Sequence, residues 1–310
     1  MPSIVFIGLA HWHVGMHLAG ARRAGLDVLG GWDPDPARAA SHGVPGFPSL
    51  EAALQAGATL ACVTGTPLEM PERLTRTAQA GVPALVEKPI APTGAALRQL
   101  AEELAATGAW VAVALPHHAG PLSTVDCGDV RHLSVRLVNG RPARYRDWGV
   151  PWVLDPAVGG GGALRNLGVH GLDLARLLLG PQVRVTGASL RRWHGEAVED
   201  HAVVHLAAPG GATATVEAGY LHPDDGGSDF EARLMGTGAV AVDTGHALVV
   251  HASSGAIEHR PVTPQPSRYD DLMADVARRA AGGHPPAASL LDLAGAMDLI
   301  DDAYRKADTA

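Results

Sequence analysis

Apolar residues run in short continuous stretches through the first third of the chain and alternate with polar ones through much of the rest. The two patterns predict two kinds of sheet. The stretches 4–7, 26–32, 59–64, 84–86 and 110–115 read as strands, apolar along their whole length. Between them, 13–23, 50–55, 72–79 and 95–106 carry the three-to-four-residue apolar spacing of amphipathic helices. A strand apolar on both faces followed by a helix, repeated, is what a parallel sheet covered on both sides requires. The connections are short and rich in Gly, Pro and Asp, as in a doubly wound domain.

Around 116–128 this pattern breaks, which places a domain boundary there. Beyond it, 131–138, 183–191, 201–206, 212–218 and 230–234 read as strands of an open, mostly antiparallel sheet. Thr213, Thr215 and Glu217 alternate with Ala214, Val216 and Ala218, so one face is covered and the other differently exposed. One helix over 163–179 interrupts the strands, and helices over 270–281 and 289–306 close the chain. The expected division is a first domain over 1–118 and a second over 119–310, with the last helix packing back on the first.

Composition narrows the setting. The 310 residues are 46% hydrophobic and 18% charged, which excludes a disordered or coiled-coil chain. A net charge of -8 and a pI near 6.0 leave no basic footprint for nucleic acid or an anionic membrane. Two cysteines, Cys62 and Cys127, are too few for a disulfide framework. No apolar run reaches the roughly 18 residues of a membrane span, and the first residues lack the basic start of a secretion signal. A soluble, cytoplasmic protein is expected. Of the 24 basic residues only two, Lys88 and Lys306, are lysine. A chain that uses arginine for ordinary surface charge makes each lysine a separate question.

Candidate chemistry gathers at the strand ends. The first strand leads into Gly8-Leu9-Ala10-His11-Trp12-His13, a strand-to-helix turn that can bring backbone N–H groups to a pyrophosphate. Only the first glycine of G-x-G-x-x-G is present, and a tight turn without a ligand explains it equally well. Asp33 follows the second strand, where a carboxylate accepts from a ribose diol and repels a 2′-phosphate, favouring NAD over NADP. Asp33-Pro34-Asp35-Pro36 is also strong turn chemistry. Lys88, in Glu87-Lys88-Pro89, sits at the carboxyl end of a strand, facing the crevice where such sheets bind ligands. Asn166 and His170 are spaced i,i+4 on one helical face, and histidine suits proton transfer near neutral pH. A histidine packed in a helix interface fits the same spacing.

These segments, with Thr64-Gly65-Thr66-Pro67 and the run Gly-Gly-Gly-Ala-Leu-Arg-Asn-Leu-Gly-Val-His from Gly160, fall in an order that resembles the Gfo/Idh/MocA family of nicotinamide-dependent sugar and cyclitol oxidoreductases. Glu199-Asp200, the Met235-Gly236-Thr237-Gly238 turn and the final helix are further echoes, so the resemblance spans essentially the whole chain. It implies an N-terminal Rossmann domain, a C-terminal domain on a large, mostly antiparallel sheet, and a homodimer or homotetramer. It implies hydride transfer between NAD and a carbinol or keto carbon of a sugar or related polyol. Lys88 and His170 take the places of the family's lysine and acid/base histidine. Asn166 stands where many members have aspartate and cannot carry a proton, which shifts that role onto His170. The dinucleotide would lie against Gly8, Ala10, His11, His13, Asp33, Thr64, Thr66, Pro67, Glu87 and Lys88. His117 and His118 replace the Tyr/Asn-Arg that members often show near the nicotinamide. His118, Arg146, Trp148 and Trp152 are candidates for substrate contact, the last three in a loop that its own aromatics would also pack.

Two other readings compete. The same fold serves a NAD-dependent lyase or glycosidase, or a nucleotide-sensing module, and the Asn166 exchange suits either. His11-x-His13 with His17 is a metal-ligand spacing, and H-x-H after a first strand occurs in metal-dependent hydrolases built on a TIM barrel. That reading needs eight strand–helix units, which the second half does not offer; without it no metal is expected.

Overall fold

The computed structural model describes residues 1–264 and 267–309. Its contacts divide the chain into two units, one of residues 1–116 with 267–294 and the other of 117–266 with 295–310. The expected division at 118 did not place 267–294 in the first unit.

In the first unit, β1 (Ser3–Ile7), β2 (Asp27–Trp32), β3 (Leu60–Val63), β4 (Ala84–Val86) and β5 (Val111–Val113) pair in parallel in the order β2-β1-β3-β4-β5. Every residue of β1, β3, β4 and β5 is buried, the physical counterpart of their unbroken apolar runs. Helices α1 (Val14–Arg23), α2 (Ala37–Ser41), α3 (Leu50–Leu54), α4 (Met70–Gln79) and α5 (Gly94–Ala106) fill the connections. Serine and threonine caps start α3 and α5, with Ser49 accepting from Ala52 N–H and Thr93 from Ala96 N–H. A later helix, α8 (Arg268–Ala281), joins this unit, its Tyr269, Met273 and Val276 completing a core that includes Ile4, Phe6, Val14 and Leu18. The chain leaves β1 for β2 on one side and returns to β3 on the other. Strand order therefore reverses between β1 and β3, where open α/β sheets form their ligand crevice.

The second unit is built on nine strands among the described residues, in the order β13-β12-β11-β10-β6-β9-β8-β7-β14. These are β6 (Val130–Gly140), β7 (Arg184–Arg191), β8 (His201–Ala207), β9 (Thr213–His222), β10 (Ser228–Gly236), β11 (Ala239–Asp243), β12 (Ala247–Ala252), β13 (Ile257–Pro261) and β14 (Ala307–Thr309). Only β6 with β9 and β7 with β14 pair in parallel. Ala214, Val216 and Ala218 are buried on β9, as their alternation predicts. The covering element is not the single α-helix expected over 163–179. A π-helical turn, Leu164–Gly168, precedes α7 (Val169–Leu179). The wider turn alters the i,i+4 relation expected of Asn166 and His170, and such turns are frequent at functional sites. Gly171 lets α7 lie on the sheet, since a Cβ there would come within 2.6 Å of Val216. A short helix α6 (Ala143–Asp147) follows β6, and α9 (Leu290–Lys306) closes the chain. No helix among the described residues is long and apolar enough to cross a membrane.

Candidate active site

The first turn is held by backbone and by Asp33. Gly8 has φ +83°, and a Cβ there would lie 2.1 Å from the Thr64 carbonyl oxygen, so only glycine fits. Thr64 is buried and donates its hydroxyl to the Gly8 carbonyl at 2.9 Å. Arg73 donates to the Thr64 carbonyl at 2.7 Å, tying the ends of β1 and β3 to α4. Leu9 N–H donates to Asp33 Oδ2 at 2.7 Å, and Asp35 N–H donates to Oδ1 at 3.0 Å. Arg38 stands 3.6 Å from the same Oδ1. Asp33 thus has the turn role and still keeps lone pairs that can accept from a ribose. Ala10 is half-buried on this turn. His11, 2% exposed, accepts the His13 N–H on its Nδ1 at 3.2 Å and so caps the entry to α1 itself. Thr66 donates its N–H and hydroxyl to Glu69 Oε2, both at 2.9 Å, beside the buried Pro67.

Next to the turn lies a buried carboxylate among imidazoles. Glu87 Oε1 takes His13 Nδ1 at 2.9 Å and His17 Nε2 at 2.8 Å. The Tyr269 hydroxyl from α8 lies 2.9 Å from His13 Nδ1 and donates to Glu87. Burial works to raise the Glu87 pKa, but His13, His17 and His11 hold it well below the usual carboxylate range. Burial pushes His11 well below and His13 below the ordinary imidazole value, against the pull of Glu87. The result is an anionic Glu87 beside the neutral imidazoles of His11 and His13.

Lys88 follows, 2% exposed and joined to Pro89 by a cis peptide bond. Its N–H donates to Glu87 Oε2 at 3.2 Å, and its Nζ lies 5.7 Å from the Trp12 ring centroid. Burial, opposed by Glu87, brings its pKa down from 10.5 to about 8. Near neutral pH it is a compact buried cation that can donate to a substrate oxygen. His11, His13 and Glu87 each offer a ligand atom within 4.8 Å of the others, so this trio is the set that can hold a metal among the described residues. The sheet around them is open and five-stranded. The barrel on which the hydrolase reading of His11 and His13 depended is therefore absent, and that reading is corrected.

In the second unit the proton-bearing candidates separate into two groups. Asn166 is buried and donates both N–H bonds of Nδ2, to the Tyr145 hydroxyl at 2.8 Å and the Tyr220 hydroxyl at 3.0 Å. Burial pushes Tyr145 up to about 12 and Tyr220 well above its ordinary value, so both stay protonated. His170, 7% exposed, meets the ring of His117 edge to face, centroids 5.5 Å apart. His117 in turn stacks on Phe230 at 4.7 Å. His118 points its Nδ1 at both oxygens of Asp173, at 3.0 and 3.2 Å.

The other predicted substrate residues have partners of their own. Arg146 forms a two-pronged pair with Glu196, one contact at 2.8 Å. Trp148 is 45% exposed, with the Arg144 guanidinium 4.2 Å over its ring. Trp152 is half-buried in the turn Pro151–Leu154. The glycines before Asn166 are a packing requirement: a Cβ on Gly162 would sit 2.0 Å from the Glu199 carbonyl oxygen. The buried Glu199 carboxylate accepts Gly162 and Leu164 N–H at 3.0 Å and the Tyr304 hydroxyl at 2.8 Å, capping the π-helical turn. Residue-by-residue reading missed Asp173, Tyr145, Tyr220 and Tyr269. Asp173 did carry a signal, a lone carboxylate in the apolar run Leu172–Leu179. The tyrosines carried none, because each meets its partner from a segment distant in sequence: Tyr145 and Tyr220 meet Asn166 from α6 and β9, and Tyr269 meets His13 from α8.

A family model for the GFO/IDH/MocA C-terminal domain matches residues 123–242. No curated protein matches the sequence. Among solved structures, an oxidoreductase from Agrobacterium radiobacter in complex with NAD+, L-tartaric acid and magnesium is 19% identical, with a TM-score of 0.83 over 98% of this chain and 96% of its own. A levoglucosan dehydrogenase in complex with NADH and levoglucosan is 16% identical, with a TM-score of 0.83 over 98% of both chains. A 3-ketoreductase from Actinomadura kijaniata in complex with NADP and TDP-benzene is 18% identical, with a TM-score of 0.79 over 100% and 99%. At these identities the likeness is one of fold. Residues 123–242 thus match the GFO/IDH/MocA C-terminal domain, and the fold as a whole is similar to those of these oxidoreductases over nearly the full length.

Proposed function

We propose that the protein is a nicotinamide-dependent oxidoreductase acting on a carbinol or keto carbon of a sugar, cyclitol or related polyol. The observation that carries this reading is Lys88, a buried ammonium at the carboxyl end of β4 in a parallel sheet that also carries the Gly8 turn. The fold neighbours solved with NAD+, NADH or NADP support it. The residues of the turn suit a dinucleotide: a positive-φ glycine opens the strand-to-helix turn, and the Asp33 carboxylate stands at the end of β2.

The nicotinamide ring, when bound, supplies the hydride chemistry. The chain supplies orientation and proton handling. Asp33 accepts from the adenosine ribose, and its charge disfavours a 2′-phosphate, so NAD is the proposed cofactor. Thr64, Arg73 and Glu69 keep the turn rigid. Lys88 donates to the substrate oxygen and stabilises the charge that develops there. Glu87, gripped by His13, His17 and Tyr269, keeps that ammonium charged despite its burial. His170, which the family resemblance puts in the place of the acid/base histidine, exchanges the hydroxyl proton.

The test is a nicotinamide absorbance screen with NAD and NADP against levoglucosan, myo-inositol, D-glucose and keto sugars, with Lys88→Ala alongside. Turnover with NAD that Lys88→Ala abolishes is expected. Turnover that survives Lys88→Ala would refute the proposed site.

A further inference from the structure

Leu9 is the second residue of the strand-to-helix turn, and both of its backbone groups are taken by side chains of one segment, 33–42. Its N–H donates to Asp33 Oδ2 at 2.7 Å, and its carbonyl oxygen lies 3.0 Å from His42 Nε2. A carbonyl oxygen only accepts, so His42 Nε2 carries the ring proton that makes this bond. His42 is itself held in place, half-buried at the end of α2. Beyond it the N–H groups of Gly43 and Val44 fold back onto the carbonyls of Ala40 and Ala39, both at 3.0 Å. That pair of bonds is a Schellman cap, and the buried Val44 anchors it in the core. The consequence falls on the next donor along the turn. The Leu9 carbonyl and the Ala10 N–H belong to one trans peptide plane and point in opposite directions. A bond that holds the carbonyl toward His42 holds the N–H away from it. The two N–H groups before Ala10 are already used, that of Gly8 by the Trp32 carbonyl at 2.7 Å and that of Leu9 by Asp33. Ala10 is half-buried, and its N–H has no hydrogen-bond partner among the described residues. Were the plane turned over, the same place would present a carbonyl oxygen, which repels a phosphate.

We propose that His42 is a positioning residue for the diphosphate of the dinucleotide: by holding the Leu9 carbonyl, it aims the Ala10 N–H at the anion. The assignment rests on the nicotinamide-dependent reading above. An N–H at the start of a helix is a donor suited to phosphate, and its value depends on its direction being fixed before the ligand arrives. His42 supplies that direction through a peptide plane. Asp33 fixes the preceding N–H, so the two side chains between them set the course of the backbone through Leu9.

The experiment titrates the full chain with NADH, followed by nicotinamide fluorescence, and with ADP-ribose, followed by displacement of NADH. Three variants separate hydrogen bonding from packing. His42→Ala removes ring and donor, His42→Phe keeps a ring without a donor, and His42→Gln restores an N–H at nearly the reach of Nε2. His42→Ala and His42→Phe are expected to weaken both ligands about three- to tenfold, the worth of one hydrogen bond, with His42→Gln within about twofold of wild type. The factor is the same for NADH and ADP-ribose, because both carry the diphosphate. Wild-type affinity in His42→Phe would make His42 a packing residue and overturn the proposal. So would His42→Gln binding no better than His42→Ala, or a loss confined to NADH. Absence of NADH binding by the wild type overturns the nicotinamide-dependent reading, and this role with it.

Discussion

Replacing Lys88 by methionine should change how the protein's stability depends on pH, by an amount the structure sets. The ammonium is 2% exposed, and burial outweighs the help of Glu87 to bring its pKa from 10.5 down to about 8. In the unfolded chain the amine regains 10.5, so between those two values the unfolded state binds more protons than the folded one. The stability contributed by the neutral amine is therefore fully present above 10.5 and is lost as pH falls through about 8. Integrated from about pH 7 to about pH 10, the linkage amounts to about 2.5 kcal/mol of added stability at the alkaline end. Of the groups around it, Glu87 is held well below this window and Tyr269 well above it, so neither adds a titration of its own. Lys88→Met keeps the length of the side chain and removes the titrating group. Urea unfolding of both proteins at the two pH values, with the m values compared, isolates the difference. Wild type should gain about 2.5 kcal/mol relative to Lys88→Met across the window. Parallel pH dependence of the two proteins, within about 0.5 kcal/mol, would refute a buried, depressed lysine.

Gly8→Ala should destabilise the first unit by at least about 2 kcal/mol, because its φ of +83° and the Thr64 carbonyl at 2.1 Å leave no place for a Cβ. Urea melts measure that loss, and NADH fluorescence measures the accompanying loss of dinucleotide affinity. Asn166→Leu removes the amide that donates to two buried tyrosine hydroxyls and should cost about 1–2 kcal/mol by the same denaturation assay. Tyr304→Phe removes one of the donors to buried Glu199 and should cost about 1–2 kcal/mol. Asp33→Ala should raise NADP affinity relative to NAD, since Arg38, 3.6 Å from that carboxylate, is then left to meet a 2′-phosphate; paired binding titrations show the ratio.

How much was legible in advance depended on how local each determinant is. β1, β3, β4 and β5 are buried along their whole length, and that environment writes itself into sequence as unbroken apolar runs. Gly8, Asp33 and Lys88 follow strands directly, so finding the strands finds them. β11, β12 and β13 were not read, because each holds only five or six residues and tight turns at Thr244–His246 and Ser253–Gly255 cut the alternation short. β14 adds itself beside β7 from the far end of the chain, a pairing no local pattern encodes. The π-helical turn was hidden for a related reason. Its cap is Glu199, which arrives from a distant segment, whereas 163–179 taken alone reads as a regular helix.

Asn166 shows what the distant contacts add. Beside its neighbours in sequence it is a departure from the aspartate that the resemblance to the Gfo/Idh/MocA family leads one to expect, a residue that has lost a proton to give. Beside its neighbours in space it is a donor matched to two acceptors. The Nδ2 group has two N–H bonds, and Tyr145 and Tyr220 place one hydroxyl oxygen at each. An aspartate there would turn both contacts around, since a carboxylate only accepts and each tyrosine would have to spend its single proton on it. It would also put a charge between two phenols whose pKa values burial already raises, Tyr145 to about 12. The amide avoids that cost and keeps the hydroxyls' own protons available to other acceptors. Exchanging aspartate for asparagine is therefore the form this buried polar cluster favours, and it needs no loss of activity to explain it. Two turns of the same segment further on, α7 does keep a buried carboxylate, Asp173, and there its partner is an imidazole, that of His118.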